Sequence, residues 1–334
     1  MKNNFSFLEK FILKIVFKFE FLNRVLFDIE KVFIKKKTII KDQVFITGLP
    51  RSGTTILLNI INSSQEFACV TYRNMPFILS PNIWSYISKF FKKSISKERA
   101  HKDGIKIDID TPEAFEEVFW KIFLKKSYIK DKKLTEHNLD SEILSEFQTF
   151  VELVCQNKKK KNYLSKNNNN ILRLTDLSNY INRGKIVIMF RDPLNHCASL
   201  KRQYFNFLKL HEADKFFLNY MTFLGHYEFG LCYKSLFIDD EYENKNNLDF
   251  WLKKWCYVYS NLIKKNNSKN ILFLSYESFC ENPKLSLNKI INNEEIILKM
   301  NFENLKNNNI YIDYNGEERL KAYDIYNKMI KLSE

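Results

Sequence analysis

The clearest chemistry in the chain lies in Gly48-Leu49-Pro50-Arg51-Ser52-Gly53-Thr54-Thr55. The apolar run Val44-Phe45-Ile46-Thr47 precedes it and Ile56-Leu57-Leu58-Asn59-Ile60-Ile61 follows, so the stretch reads as strand, glycine-bracketed turn and helix. Glycines let the backbone curl until consecutive N–H groups and the helix N-terminus face one anion. The spacing is that of the phosphate loop G-x-x-x-x-G-K-[ST], except that Thr54 stands where the lysine belongs. In a nucleotide-hydrolysing loop that lysine reaches the terminal phosphates, and an aspartate after another strand helps hold Mg²⁺. Here the one strand that could supply such an aspartate ends in Arg191 before Asp192. The loop therefore offers backbone N–H groups, Arg51, Ser52, Thr54 and Thr55 to an anion without evident metal support. That argues against a P-loop kinase or NTPase.

A second anion site is suggested by Arg191 at the tip of Lys185-Ile186-Val187-Ile188-Met189-Phe190, with Ser199 eight residues on in the following helix. A guanidinium and a hydroxyl converging from there can hold a separate phosphate. Taken alone, the pair reads equally as a surface Arg and an ordinary helical Ser. Together, G-L-P-R-S-G-T-T and V-I-M-F-R-D-P-L-N-H-C-A-S-L resemble the two signature segments of sulfotransferases that use 3′-phosphoadenosine 5′-phosphosulfate (PAPS). The first resembles their 5′-phosphosulfate loop and the second their 3′-phosphate motif. Tyr163–Lys166, Leu274-Ser275-Tyr276-Glu277 and Ala100-His101-Lys102-Asp103-Gly104 followed by Thr111–Glu117 resemble further landmarks, including those of bacterial and tyrosylprotein branches. The likeness covers residues 43–290.

The resemblance implies transfer of a sulfuryl group from PAPS to a hydroxyl or amine of a glycan, lipid or other small-molecule acceptor, with no metal. It implies that Arg51, Ser52, Gly53, Thr54 and Thr55 hold the 5′-phosphosulfate and that Arg191 and Ser199 hold the 3′-phosphate. Tyr276 would flank the adenine, against the alternative of a core tyrosine. Lys166 would touch the sulfuryl or bridging oxygen, against that of a solvated strand-end lysine. Several branches carry a glutamate some way past the loop as general base, but here that neighbourhood is Val70-Thr71-Tyr72-Arg73-Asn74. The substitutes are His101, Asp103, Glu113, Glu116 and Glu117, ordered Glu116 or Glu117 first and His101 next. Glu116 and Glu117 point to different sides of a helix, so at most one is expected to face the site. A non-catalytic nucleotide-binding or membrane-associated protein that kept the pocket is the alternative function.

Strands alternate with helices along the chain, which predicts an α/β protein with a central parallel sheet flanked by helices on both faces. With the resemblance this becomes a P-loop NTPase-like three-layer fold with helical insertions. Strands are expected over 39–47, 163–165, 185–190 and 271–275, with polar breaks at their carboxyl ends, where ligands sit in such sheets. Helices are expected over 77–91, from Thr111 (N-cap) and Pro112 onward, and over 141–155, 213–229, 247–265 and 317–332. Residues 39–334 form one domain, with acceptor-side insertions at about 65–160 and 205–265. Residues 1–38 form an amphipathic helical segment whose apolar positions, Leu8 to Phe33, recur at three and four. Charges at Lys14, Lys18, Arg24 and Asp28 rule it out as a transmembrane span. It also lacks a secretory cleavage site. Packing on the body is preferred, with peripheral membrane contact through residues 5–36 left open.

At 334 residues with 45% hydrophobic content the chain can bury a sizeable core, and seven glycines and six prolines favour helices over hairpins. The six cysteines are scattered without C-x-x-C spacing, which reads as reduced core thiols in a cytoplasmic protein rather than a zinc or disulfide framework. A net charge of +14 suits anionic ligands. No nucleic-acid partner is expected, because lysines are spread along the chain and no recognition motif accompanies them.

Overall fold

The computed structural model describes residues 7–33, 38–89, 97–98, 106–238 and 244–334. Its centre is a five-stranded sheet of β1 (Gln43–Thr47), β2 (Phe67–Ala68), β3 (Asn162–Lys166), β4 (Gly184–Phe190) and β5 (Ile271–Ser275). The strands lie in the order β2-β3-β1-β4-β5 and every neighbouring pair is parallel. Alternate residues feed two separate cores, as the strand period demands. Phe45, Tyr163, Ile186, Ile188 and Phe273 pack on one face. Val44, Ile46, Leu164, Val187, Met189 and Leu274 pack on the other. Each such side chain, fully buried, contributes about 1.5–3 kcal/mol. Sheet and two helical layers are thus what the sequence expectation named; the short edge strand β2 is the element it missed.

The chain begins with α1 (Phe7–Lys18) and α2 (Phe21–Val32), separated at Phe19-Glu20, where one continuous helix was expected. Helix α3 (Thr54–Ser63) follows the glycine loop, and α4 (Pro81–Ser88) starts at Pro81, which opens the helix as its first residue instead of crossing it. The expected helix from Thr111 is a second correction. Thr111 Oγ1 is tied to Asp108, Pro112 bridges to Thr71, and α5 (Glu117–Phe123) begins only at Glu117. Next come α6 (Ser141–Lys158), α7 (Leu174–Tyr180), α8 (Pro193–Ala213), α9 (Lys215–Leu224) and α10 (Leu248–Lys264). The chain closes with α11 (Tyr276–Glu281), α12 (Pro283–Asn288), α13 (Glu294–Leu298) and α14 (Glu318–Ser333). Helices α3 and α11 to α13 cover the second core, while α5, α6, α8, α10 and α14 cover the first.

Because the strands are parallel, β1, β3, β4 and β5 end on one edge. Phe190 stands opposite Ser275, and Ile46 is flanked by Lys166 and Val187. That register brings the glycine loop, Lys166, Arg191 and Tyr276 to the same side of the molecule.

Candidate active site

The glycine loop is held in shape before any ligand arrives. Arg51 and Gly53 have φ of 73° and 97°, in the left-handed region that a curled anion loop requires. The amides of Ile56 and Leu57 both reach back to the Gly53 carbonyl, so the amides before them point off the end of α3. A Cβ on Gly53 would sit 2.4 Å from the Tyr276 ring, so glycine is what allows that ring to close against the loop. Ser52 is fully buried, and its hydroxyl donates to the Leu49 carbonyl at 2.8 Å. Its side chain braces the turn from within and does not line the cleft in front of the loop.

Helix α10 supports the loop from behind. The Trp255 indole N–H donates to His196 Nδ1 at 3.0 Å, which leaves Nε2 to carry the hydrogen and donate to the Pro50 carbonyl at 2.8 Å. Burial pushes the His196 pKa down to about 3, so the ring is neutral. One turn further, the Tyr259 hydroxyl donates to the Met189 carbonyl at 2.8 Å, beside Gly48.

The residues expected to hold two anions meet on this edge. Arg51 Nε donates to Ser199 Oγ at 3.3 Å, joining the loop to the second turn of α8. The Arg191 guanidinium lies 5.3 Å from the centre of the Tyr276 ring, and its Nε donates to Asn309 Oδ1 at 2.7 Å. Tyr276 in turn donates its hydroxyl to the Lys306 carbonyl at 2.6 Å. Asp192 caps α8 by accepting from the Asn195 amide, with Pro193 as the first helical residue.

In front of the loop is a cleft lined by Arg51, Thr54, Thr55, Glu113, Lys166 and Asn168, and by an apolar wall from α9. That wall comprises Phe217, Tyr220, Met221 and Leu224. Lys166 lies 3.3 Å from the Glu113 carboxylate, and both side chains are less than a tenth exposed. His226 and Glu228 also line the cleft; His226 Nε2 is 2.9 Å from the Ala114 carbonyl, and Glu228 accepts from Asn168.

The base assignment needs correcting. Neither Glu116 nor Glu117 lines the cleft. Glu116 accepts from the Trp120 indole, the Tyr163 hydroxyl and the Asn170 amide, at 3.0 to 3.2 Å. Glu117 is fully buried between two guanidinium nitrogens of Arg173, at 3.0 and 3.2 Å, with Asn167 and Tyr128 donating as well. Burial alone would raise its pKa, but Arg173 and these donors hold it below the usual carboxylate value. Carboxylates so enclosed need that many donors to be tolerated at all. His101 and Asp103 lie outside the described residues. The carboxylate that does face the cleft beside Lys166 is Glu113, named among the substitutes but left out of the final ordering. His226, Glu228, Asn168 and the α9 wall were missed, since in sequence α9 shows only the spacing of a core helix.

A loop of amides at a helix end, joined to a second arginine-bearing strand tip on a parallel α/β sheet, is an arrangement suited to anions. The sequence matches the sulfotransferase family over residues 43–296, well over half of the chain, and the protein belongs to that family. Among solved structures, one similar chain is the sulfotransferase STF1 from Mycobacterium tuberculosis H37Rv. It is 10% identical with a TM-score of 0.46, over 90% of this chain and 82% of that one. Another is the sulfotransferase domain from the curacin biosynthetic pathway, 14% identical with a TM-score of 0.37, over 80% of this chain and 77% of that one. No curated protein matches the sequence.

Proposed function

We propose that this protein transfers a sulfuryl group from PAPS to a hydroxyl or amine on an acceptor with an apolar body, with Glu113 as general base. The observation that carries the reading is the Lys166–Glu113 pair, which faces the glycine loop across the cleft. Family membership supports sulfotransfer in general, and the donor set supports PAPS in particular. The end of α3, with Thr54 and Thr55, suits one anionic group, while Arg191 and Ser199 suit a second. Tyr276 is buried in the second core beneath Arg191, which fits the core-tyrosine alternative: it supports that guanidinium and offers no open ring face to the adenine. When bound, PAPS supplies the activated sulfuryl group.

Glu113 accepts the acceptor proton, and Lys166 and the α3 amides stabilise charge that develops on oxygen as the sulfuryl group moves. Phe217, Tyr220, Met221 and Leu224 hold the acceptor body and exclude water. The localisation that accords with this chemistry is the cytoplasm, where reduced thiols persist.

Calorimetry with adenosine 3′,5′-bisphosphate and with ATP plus Mg²⁺ tests the donor side. Tighter binding of the bisphosphate is expected, and tighter binding of ATP would overturn the assignment. Transfer of labelled sulfuryl from PAPS to aryl and alkyl alcohols tests the reaction. Bisphosphate binding with no transfer to any acceptor would instead favour a non-catalytic nucleotide-binding protein.

A further inference from the structure

The outer face of the N-terminal helices is apolar where a surface helix should be polar. Their inner face is accounted for. Leu13, Val16 and Phe27 are buried in the first core, and Glu30 accepts from Asn82 and Ile83 at the start of α4. Phe11, Ile15 and Phe19 recur at every fourth residue and are exposed, as are Val25, Ile29 and Val32 further on. Phe11 is 54% and Val32 80% exposed. A helix docked on a globular body buries one stripe. A second apolar stripe on the solvent side marks an interaction surface.

The charges on this face say what covers it. Two of its acids are already neutralised: Asp28 is paired with Arg24 at 3.0 Å and with Lys31 at 3.2 Å, and Glu20 with Lys121 and Lys126. Lys14 and Lys18 stand exposed beside the apolar stripe, and among the described residues neither is paired with an acid. Unpaired cations flanking an apolar stripe, on a chain of net charge +14, complement an anionic lipid surface. They would repel a second copy of the same face. Among the described residues no helix is long and apolar enough to cross a membrane, so contact at the interface is the mode available.

We infer that α1 and α2 form a docking face for an anionic bilayer, with the apolar stripe entering the headgroup boundary and Lys14 and Lys18 meeting lipid phosphates. The face adjoins the cleft through α9. Phe17 of α1 packs against Phe216 and Phe223, at 5.6 and 5.2 Å between ring centres, while Phe217 and Leu224 of the same helix line the cleft. The inference does not depend on sulfuryl transfer.

Co-sedimentation of the full chain with vesicles tests it, using phosphatidylcholine mixed with phosphatidylglycerol against phosphatidylcholine alone. The wild type should pellet with the mixed vesicles and far less with the neutral ones. The triple variant F11S/V25S/V32S should lower the bound fraction at least about tenfold. The double variant K14E/K18E should weaken binding and blunt its sensitivity to salt. All five positions are on the surface, so thermal melting should be unchanged, and the charge variant stands as an independent readout if the apolar one misfolds. Failure of the wild type to pellet with mixed vesicles would overturn the inference, as would pelleting of both variants to the same extent as the wild type. A wild-type dimer by light scattering that the triple variant dissociates would assign the face to a second copy instead.

Discussion

On one side of the cleft, the groups suited to anions come from two short segments, residues 48–55 and 191–199, each fixed to a strand end in the middle of the sheet. On the other side, Glu113, Lys166, Leu224 and His226 arrive from separate parts of the chain and are brought together only by tertiary packing. The first side works largely through backbone amides and a helix terminus, whose geometry a local sequence can dictate. The second presents side chains, and the shape it leaves is set by the α9 wall. In the function proposed above, anion recognition is thus compact in sequence and acceptor recognition dispersed.

The division can be broken most sharply at Glu113. Glu113→Gln should lower turnover by about 10²–10⁴-fold while leaving the affinity for adenosine 3′,5′-bisphosphate within about twofold. Equal losses in both measurements would erase the distinction between the two sides. The neighbouring Glu117→Gln should behave differently, lowering unfolding free energy by about 3–5 kcal/mol in urea titration because Arg173 is left buried beside a neutral amide. Stability changed by Glu113→Gln but not by Glu117→Gln would reverse the roles given to them.

On the anion side, Arg51→Ala should weaken bisphosphate binding by roughly 10²-fold, the scale of a lost charge-assisted contact, and calorimetry reads it directly. Leu224→Ala should raise the acceptor KM by about tenfold with donor affinity untouched, as expected for one apolar side chain of the wall. A separate effect, read in stability instead of turnover, concerns acid. His196 and His137 have their pKa values lowered, to about 3 and about 4, chiefly by burial, from an ordinary 6.5. Between those values the unfolded chain binds more protons than the folded one. Stability should therefore fall as pH drops from about 6.5 towards 4 and be fully present above 6.5. Urea midpoints measured at either end of that window check the sign, and a flat profile would mean that both rings take up protons as readily in the folded protein as in the unfolded chain.

The same division explains what could be read from the sequence. The β1–loop–α3 unit and the β4–α8 unit were legible because strand period, glycine placement and the Asp192-Pro193 helix start all act within a few residues. The acceptor side was not. Glu116 and Glu117 looked like helix-face acids, yet the helix starts at Glu117, and Arg173, Tyr163 and Asn170 enclose the pair from a segment about fifty residues away in sequence. Thr111 and Pro112 read as a helix start on local chemistry, and their contacts with Asp108 and Thr71 won instead. The strand β2 is two residues long and carries no periodic signal of its own.

Trp255 and Tyr259 are one turn apart on α10, and each hands a hydrogen to something that shapes the glycine loop: one through His196 to Pro50, the other to Met189 against which Gly48 turns. The loop's eight residues therefore do not make a cradle by themselves; they borrow stiffness from a helix that is synthesised some two hundred residues later. A truncated chain ending before Leu248 would carry both signature segments intact and still lack the splint behind them. Shape at residue 48 is thus decided in part by residues 255 and 259, so the loop is written early in the chain and completed by a late helix.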